Sequence, residues 1–444
     1  MRPNINLMKA TLTGALGGLL FGFDTAVISG AIKALSDLYH LSARAEGFTV
    51  SIALAGTVIG ALVAGPVGQR LGSRETLRIT AVLYLVSALG CAFAWSWPAL
   101  MVFRFLGGLG IGASSVLGPV YIAELAPAKW RGRLVGVFQF NVVTGILLAY
   151  ASNYIIREMH FGVAEWRWQL GVAALPALGF LLLLFGIPRS PRWSASKNRI
   201  DEALAVLKLM GDPNPEAELA DIRAAIQQEH ATAHVPVFRW KYRYPLFLAI
   251  SIGAFNQLEG INAILYYLNS IFARAGFSQV SGDLQGVVIG ATNLLFTMVG
   301  MAAIDKLGRK TLLLTGAAGT AACLAGVAWV FNTNSHQGAL LWLLVVYIAF
   351  FALSQGAVIW VYIGEVFPNS VRSKGQAVGN SSHWIMNALI AQIFPMLAVR
   401  TGGAPFVFFS VMTVVQFIVV LFFYPETKGQ TLEELQRKLV PAEG

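Results

Sequence analysis

Long apolar runs near residues 7–31, 47–68, 76–95, 98–122, 134–156 and 167–187 are followed by a polar stretch, then by runs near 245–271, 284–304, 311–331, 339–363, 374–399 and 404–424. A helix needs about 20 mostly apolar residues to cross a hydrocarbon core of about 30 Å, so each run predicts one membrane-spanning helix. The polar stretch has a different rhythm. From Ile200 to Met210 and from Ala217 to Gln228 apolar residues recur at helical spacing among charges, which predicts short amphipathic helices lying outside the membrane. The pattern therefore predicts an all-α membrane protein with a six-helix half at 1–187, a helical linker at 188–244, a second six-helix half at 245–424 and a tail at 425–444.

The halves repeat one another. Tyr121-Ile122-x-Glu124-x-x-Pro127-x-x-x-Arg131 returns as Tyr362-Ile363-x-Glu365-x-x-Pro368-x-x-x-Arg372, and Arg70-Leu71-Gly72-Ser73-Arg74 as Lys306-Leu307-Gly308-Arg309-Lys310. Two parallel six-helix repeats are the architecture of a transporter that rocks one half against the other around a midplane site. Basic residues give the sidedness. With the N-terminus inside, the outer loops hold only Lys33, Arg44, Arg157, Arg167, Arg274 and Arg400, Arg104 lies within a run, and every other Lys and Arg falls on the inner side. By the positive-inside rule both termini and the linker are cytoplasmic.

Composition narrows the function classes. The chain of 444 residues is 56% hydrophobic and 12% charged, where a soluble domain carries about 25% charged residues. The 45 Gly and 17 Pro are tolerated in membrane helices. A net charge of +10 is explained by the loop asymmetry, so nucleic acid is not implied as a partner. Cys91 and Cys323 each sit in an apolar run, which excludes a disulfide framework. The run from Leu7 to Ala31 carries Asp24 and lacks a cleavage site, so it reads as a retained first helix. No His-Glu-x-x-His, Gly-x-Ser-x-Gly or Walker-type phosphate loop is present, so the chain is not expected to be an enzyme.

Several ordered stretches carry a family resemblance: Phe21-Gly22-Phe23-Asp24-Thr25-Ala26-Val27-Ile28-Ser29-Gly30, the run from Arg104 through Arg131, Gln257 to Tyr267, Asp305 to Lys310, and Pro425-Glu426-Thr427-Lys428-Gly429. Over nearly its whole length the chain resembles the sugar porters of the major facilitator superfamily, in particular bacterial proton-coupled monosaccharide symporters. The resemblance implies the major facilitator fold and an inner-membrane secondary transporter that imports a pentose or hexose with a proton by alternating access. No cofactor or metal is implied beyond the coupling proton, and a monomer in the lipid bilayer suffices. A proton-independent facilitator and a non-transporting sugar receptor are the alternatives.

Residue by residue, the resemblance makes Asp24 and Arg104 the proton-coupling pair, and an intramembrane acid is a functional hypothesis on physical grounds alone. It carries Gln139, Asn256, Gln257, Asn262, Tyr266, Asn293, Trp360, His383, Trp384 and Asn387 into the sugar site. Spacing adds support, since Asn380, His383, Trp384 and Asn387 form one polar stripe at i, i+3, i+4, i+7. Gly260 is expected to let the seventh helix unwind. Glu124 with Arg74 and Arg131, and Glu365 with Arg309 and Arg372, resemble the salt-bridge network that closes the inner side.

Departures from the family pattern bear on function. Gln69 replaces an Asp, Ser73 an Arg and Arg189 a Glu, which predicts a weaker inner lock in the first half. His383 stands where an amide is usual and reads either as a neutral polar substitute or as a group titrating near neutrality. Glu259 stands where a small or apolar residue is expected; it either contacts sugar or a second cation, or faces solvent at the mouth of the site.

Overall fold

The structure, a computed structural model, describes residues 4–127, 129–232, 235–368, 370–400, 402–430 and 432–440. Among the described residues twelve helices are long and apolar enough to cross a membrane. Spans 1 to 6 are Ile5–Tyr39, Ala43–Leu71, Ser73–Ala92, Trp97–Leu125, Arg131–Glu158 and Gly162–Gly186. Spans 7 to 12 are Trp240–Tyr266, Gln279–Leu307, Arg309–Thr333, Gln337–Glu365, Arg372–Val399 and Ala404–Phe423. The chain is a multi-pass membrane protein, and every apolar run of the sequence corresponds to one span.

Local chemistry sets the ends. Ser96 and Ser278 accept from the backbone N–H groups of Ala99 and Ser281, capping spans 4 and 8. Span 7 is broken as its glycine predicts. The helix stops at Leu258 and restarts at Ile261, with Gly260 at φ +88°, a left-handed conformation open to glycine. A Cβ there would strike the Phe409 ring, so two constraints require glycine.

In the linker, Ile200–Met210 matches the expected helix, Pro215–Thr232 contains the expected Ala217 to Gln228, and a short helix Pro191–Ser196 precedes them. Ala203 and Leu207 bury against Leu219 and Ile222, so the linker holds a small apolar core of its own. The tail helix Leu432–Leu439 buries Leu435 and Leu439 in the cluster that contains Tyr362, Tyr424 and Leu248.

Two compact units emerge, and they cut across the repeats. One comprises Met1–Asp24, Ile52–Ala149 and Arg167–His234; the other comprises Thr25–Ser51, Tyr150–Trp166 and Val235–Gly444. Spans 1, 2, 5 and 6 are thus each shared between units, and the first span passes from one to the other directly after Asp24. Hydrogen bonds within the second unit explain its membership. Tyr150 Oη donates to the Leu265 carbonyl at 2.9 Å, and Ser51 Oγ to Gln392 Oε1 at 2.8 Å.

Within the first unit spans 2 and 4 meet along a glycine seam. A Cβ on Gly108 or Gly112 would fall on the backbone of Ala53 or Thr57, and one on Gly56 or Gly60 on the backbone of Phe105 or Leu109. With no hydrophobic force between helices in lipid, such close backbone approach supplies the packing. Gly108→Val is expected to overpack the seam and cost about 1–3 kcal/mol. Thermal unfolding of the detergent-purified variant checks this, and an unchanged midpoint would show that the seam tolerates separation.

Candidate transport site

Asp24 on span 1 and Arg104 on span 4 lie in the first unit with Oδ2 and Nη2 3.8 Å apart. Their side chains differ in burial: Arg104 is 3% exposed and Asp24 27%. At that separation, and an effective dielectric of about 20, the attraction is about 4 kcal/mol. Taking an ion out of water costs several kcal/mol. The two are of one size, so adding a proton to the half-buried carboxyl can tip the balance. Tyr84 Oη, bonded to Ser114 Oγ at 2.8 Å, lines the same region of the unit.

Gln139 lies on span 5 of the first unit, partly buried. All the other residues expected at the sugar site fall in the second unit. There the amides form a chain. Asn262 Nδ2 donates to Gln257 Oε1 at 3.1 Å, and Gln257 Nε2 donates to Asn256 Oδ1 at 2.9 Å while lying 3.3 Å from His383 Nδ1. Because an amide N–H only donates, His383 Nδ1 accepts here, which is the behaviour of a neutral ring substituting for an amide. Tyr266 Oη and the Asn387 side chain lie 3.1–3.2 Å apart, and Asn293 accepts from Thr297 Oγ1 at 3.4 Å. The break at Gly260 positions this cluster, since it separates the helix carrying Asn256 and Gln257 from the one carrying Asn262 and Tyr266.

The aromatic residues meet around histidine. Trp360 and Trp384 each stand edge-on to the His383 ring, with centroids 5.0 Å away. Trp384 is buried, whereas Trp360 is 37% exposed. Glu259 is neither at the mouth of the site nor solvated, being 1% exposed. The unwound turn at Gly260 removes it from the face that an unbroken helix would give it with Asn262 and Tyr266.

The linker-side constellations differ between halves. In the second, Arg309 pairs with Glu365 at 2.8 Å and Asp305 at 3.1 Å, and Thr427 Oγ1 donates to Glu365 at 2.7 Å. Arg372 Nε donates to the Phe367 carbonyl at 3.3 Å. In the first, Arg74 makes its ion pair with Glu75 at 2.6 Å and donates to the Ile187 carbonyl, while Glu124 accepts from Ser73 Oγ at 3.1 Å. Arg131 donates to the Ala123 carbonyl and lies 3.5 Å from Glu218 of the linker. Arg189 lies 3.6 Å from Glu75 and 3.8 Å from Glu202. Glu75, which sequence reasoning passed over, thus gathers Arg74, Arg78 and Arg189 where the two family acids are missing. Its position in the first turn of span 3 was the available signal.

Two further groups were not anticipated. Arg157 pairs with Asp283 and, at 2.7 Å, with Glu165, and Asn269 also donates to Asp283; these join spans 5 and 8 inside the second unit. Glu426 of the tail motif accepts from the backbone N–H groups of Arg309 and Lys310 at 2.9 and 3.0 Å, capping span 9. The corresponding place in the first half holds Arg189, and span 3 begins at Gly72 without a side-chain cap. Yet one device is kept in both halves. Tyr121 Oη donates to the Pro188 carbonyl and Tyr362 Oη to the Pro425 carbonyl, at 2.8 and 3.2 Å.

Comparison with known proteins places this geometry in context. Residues 10–439 match the family described as "Sugar (and other) transporter". The D-xylose-proton symporter of Escherichia coli (strain K12) is 34% identical, over 97% of this chain and 95% of its own. The arabinose-proton symporter of Bacillus subtilis (strain 168) is 36% identical, over 98% of each. The solved structure of the xylose transporter XylE from E. coli, in a partially occluded inward open conformation, superimposes with a TM-score of 0.86. It is 32% identical, covering 96% of this chain and 100% of that one.

Burial works to raise the Glu426 pKa, but backbone N–H donors from Lys428, Arg309, Lys310 and Thr427 outweigh it and hold the carboxyl below its ordinary value. With the folded-state pKa depressed, the stabilisation is present above the unfolded value of about 4.3 and is lost as pH falls through the folded one. Glu426→Gln is therefore expected to cost about 1 kcal/mol at neutral pH, as for other caps, and progressively less as pH falls below the unfolded value. Thermal midpoints of both proteins across this range check it; an equal gap at both ends contradicts the cap.

Proposed function

We propose that this chain, which belongs to the sugar transporter family, imports a monosaccharide together with a proton by alternating access. Two relatives described as xylose-proton and arabinose-proton symporters match it over nearly the whole length of both chains. The observation that carries proton coupling is the Asp24–Arg104 pair, an acid and a base isolated within two membrane spans at the edge of ion-pair distance. Protonation of Asp24 removes its charge and releases Arg104; loss of the proton restores the attraction.

In this reading the proton loads Asp24 from outside. Sugar hydroxyls then exchange with the amide chain of Asn256, Gln257 and Asn262, with Asn293, and with the Tyr266–Asn387 pair. These groups already bond one another, so a sugar replaces hydrogen bonds and leaves no buried polar atom unmade. Trp360 supplies the platform for the apolar face of the ring, with His383 and Trp384 holding it in place. The linker-side pairs, Glu365 with Arg309 in the second half and Glu75 with Arg74 and Arg189 in the first, bias the equilibrium between the two access states. Both termini face the cytoplasm across the inner membrane, a single chain suffices, and the proton is the only coupling agent. Pentose and hexose differ by one hydroxymethyl group, and the reading covers either class.

Uptake into proteoliposomes under an imposed inward proton gradient tests this, with xylose, glucose, galactose, arabinose and inositol as substrates. The wild type is expected to accumulate one of them above the outside concentration, with collapse on adding an uncoupler. Asp24→Asn is expected to abolish accumulation while retaining counterflow exchange. Equilibration without accumulation, indifferent to the mutation, would make the protein a facilitator.

A further inference from the structure

Glu259 is an acid for which the symport cycle described above has no role. It closes the first helix of span 7, one residue before the break at Gly260 and two after Gln257. It is 1% exposed, and neither carboxyl oxygen has a hydrogen-bond partner of good geometry. The groups around it are contributed by three spans. Thr320 of span 9 faces the carboxyl, Tyr347 of span 10 donates its hydroxyl to the Glu259 backbone carbonyl at 2.9 Å, and Phe409 of span 12 closes over Gly260. The titratable groups in this shell are Tyr347 and, beside it, Cys323 of span 9; neither can supply positive charge. Among the described residues no Lys or Arg is paired with Glu259.

Proton arithmetic decides which form fits. The single hydroxyl proton of Thr320 is committed to its own helix, where Oγ1 donates to the Gly316 carbonyl at 2.9 Å. With its proton turned there, the hydroxyl is a poor donor to a carboxylate, whereas a protonated carboxyl can donate to the hydroxyl oxygen. A bare carboxylate in this shell would face lone pairs and apolar carbon with no compensating charge. A glutamine would fill the same space with no charge to hide, so acid chemistry is what the side chain adds.

We propose that Glu259 is a second proton-binding site of the transport cycle, located in the second half of the chain. It holds its proton as the neutral acid in the conformation seen here. When the Gly260 break rearranges, the carboxyl gains access to water and releases the proton as a carboxylate; it takes up another before burial. The inference rests on the symport reading and adds a second proton to it, bound at a separate residue but moved only in cycles that also turn over Asp24.

The test is the charge moved per sugar, from the reversal potential of sugar flux in proteoliposomes holding the full-length protein, for wild type and Glu259→Gln. The expected result is two protons per sugar in the wild type and one in Glu259→Gln, with sugar counterflow retained in the variant. One proton per sugar in the wild type overturns the second site and leaves symport through Asp24 standing, whatever the fate of the variant. Two protons per sugar in both proteins also overturns the assignment to Glu259. Sugar flux with no charge movement in the wild type overturns the symport reading as well.

Discussion

An arginine buried within a membrane span is the constraint around which the first half is arranged. Arg104 is buried with its nearest acid, Asp24, at 3.8 Å, and the attraction and the desolvation cost are of similar size. A tighter pair would hold its charge in every state, and a wider one would give up most of the attraction that offsets burial of the arginine. The helix bearing Asp24 is also the one that changes unit directly after it. The glycine seam between spans 2 and 4 serves the same end, because it fixes the helix that carries Arg104 by backbone contact.

The second half solves a different problem, that of keeping many polar groups ready without leaving them unsatisfied. Gln257 bonds Asn262, Asn256 and His383, and Tyr266 bonds Asn387, so these groups satisfy one another without sugar. The break at Gly260 makes this possible by turning the two pieces of span 7 separately. At the linker side the repeats keep the tyrosine-to-proline hydrogen bond but differ in charge. Glu426 caps span 9, whereas in the first half Glu75 collects three arginines at the start of span 3. The first-half network is rebuilt on another acid, which offsets part of what Gln69 and Arg189 remove.

Much of this was legible in the sequence because membrane helices announce themselves. Twelve apolar runs gave twelve spans, since lipid requires every backbone group to be satisfied within the helix. The linker helices followed from periodicity, and the break in span 7 from one glycine. The polar stripe on span 11 was visible because Asn380, His383, Trp384 and Asn387 share one face. What was not legible depended on three-dimensional neighbours. Solvent exposure at the mouth of the site was one of two places open to Glu259, and the left-handed turn at Gly260 accompanies its burial instead. The Arg157–Asp283 pair joins residues far apart in the chain with no motif to link them. Glu75 was overlooked because the family motif directed attention to the positions on either side.

The central claim is that sugar binding and the protonation of Asp24 are linked. The most direct measurement is the proton count on adding sugar to the purified protein in weakly buffered detergent solution containing a pH indicator, comparing wild type with Asp24→Asn. The account predicts proton uptake on sugar binding in the wild type, and that uptake reduced by one proton in the variant although it still binds sugar. Equal proton uptake in both proteins, or none in either, would contradict it.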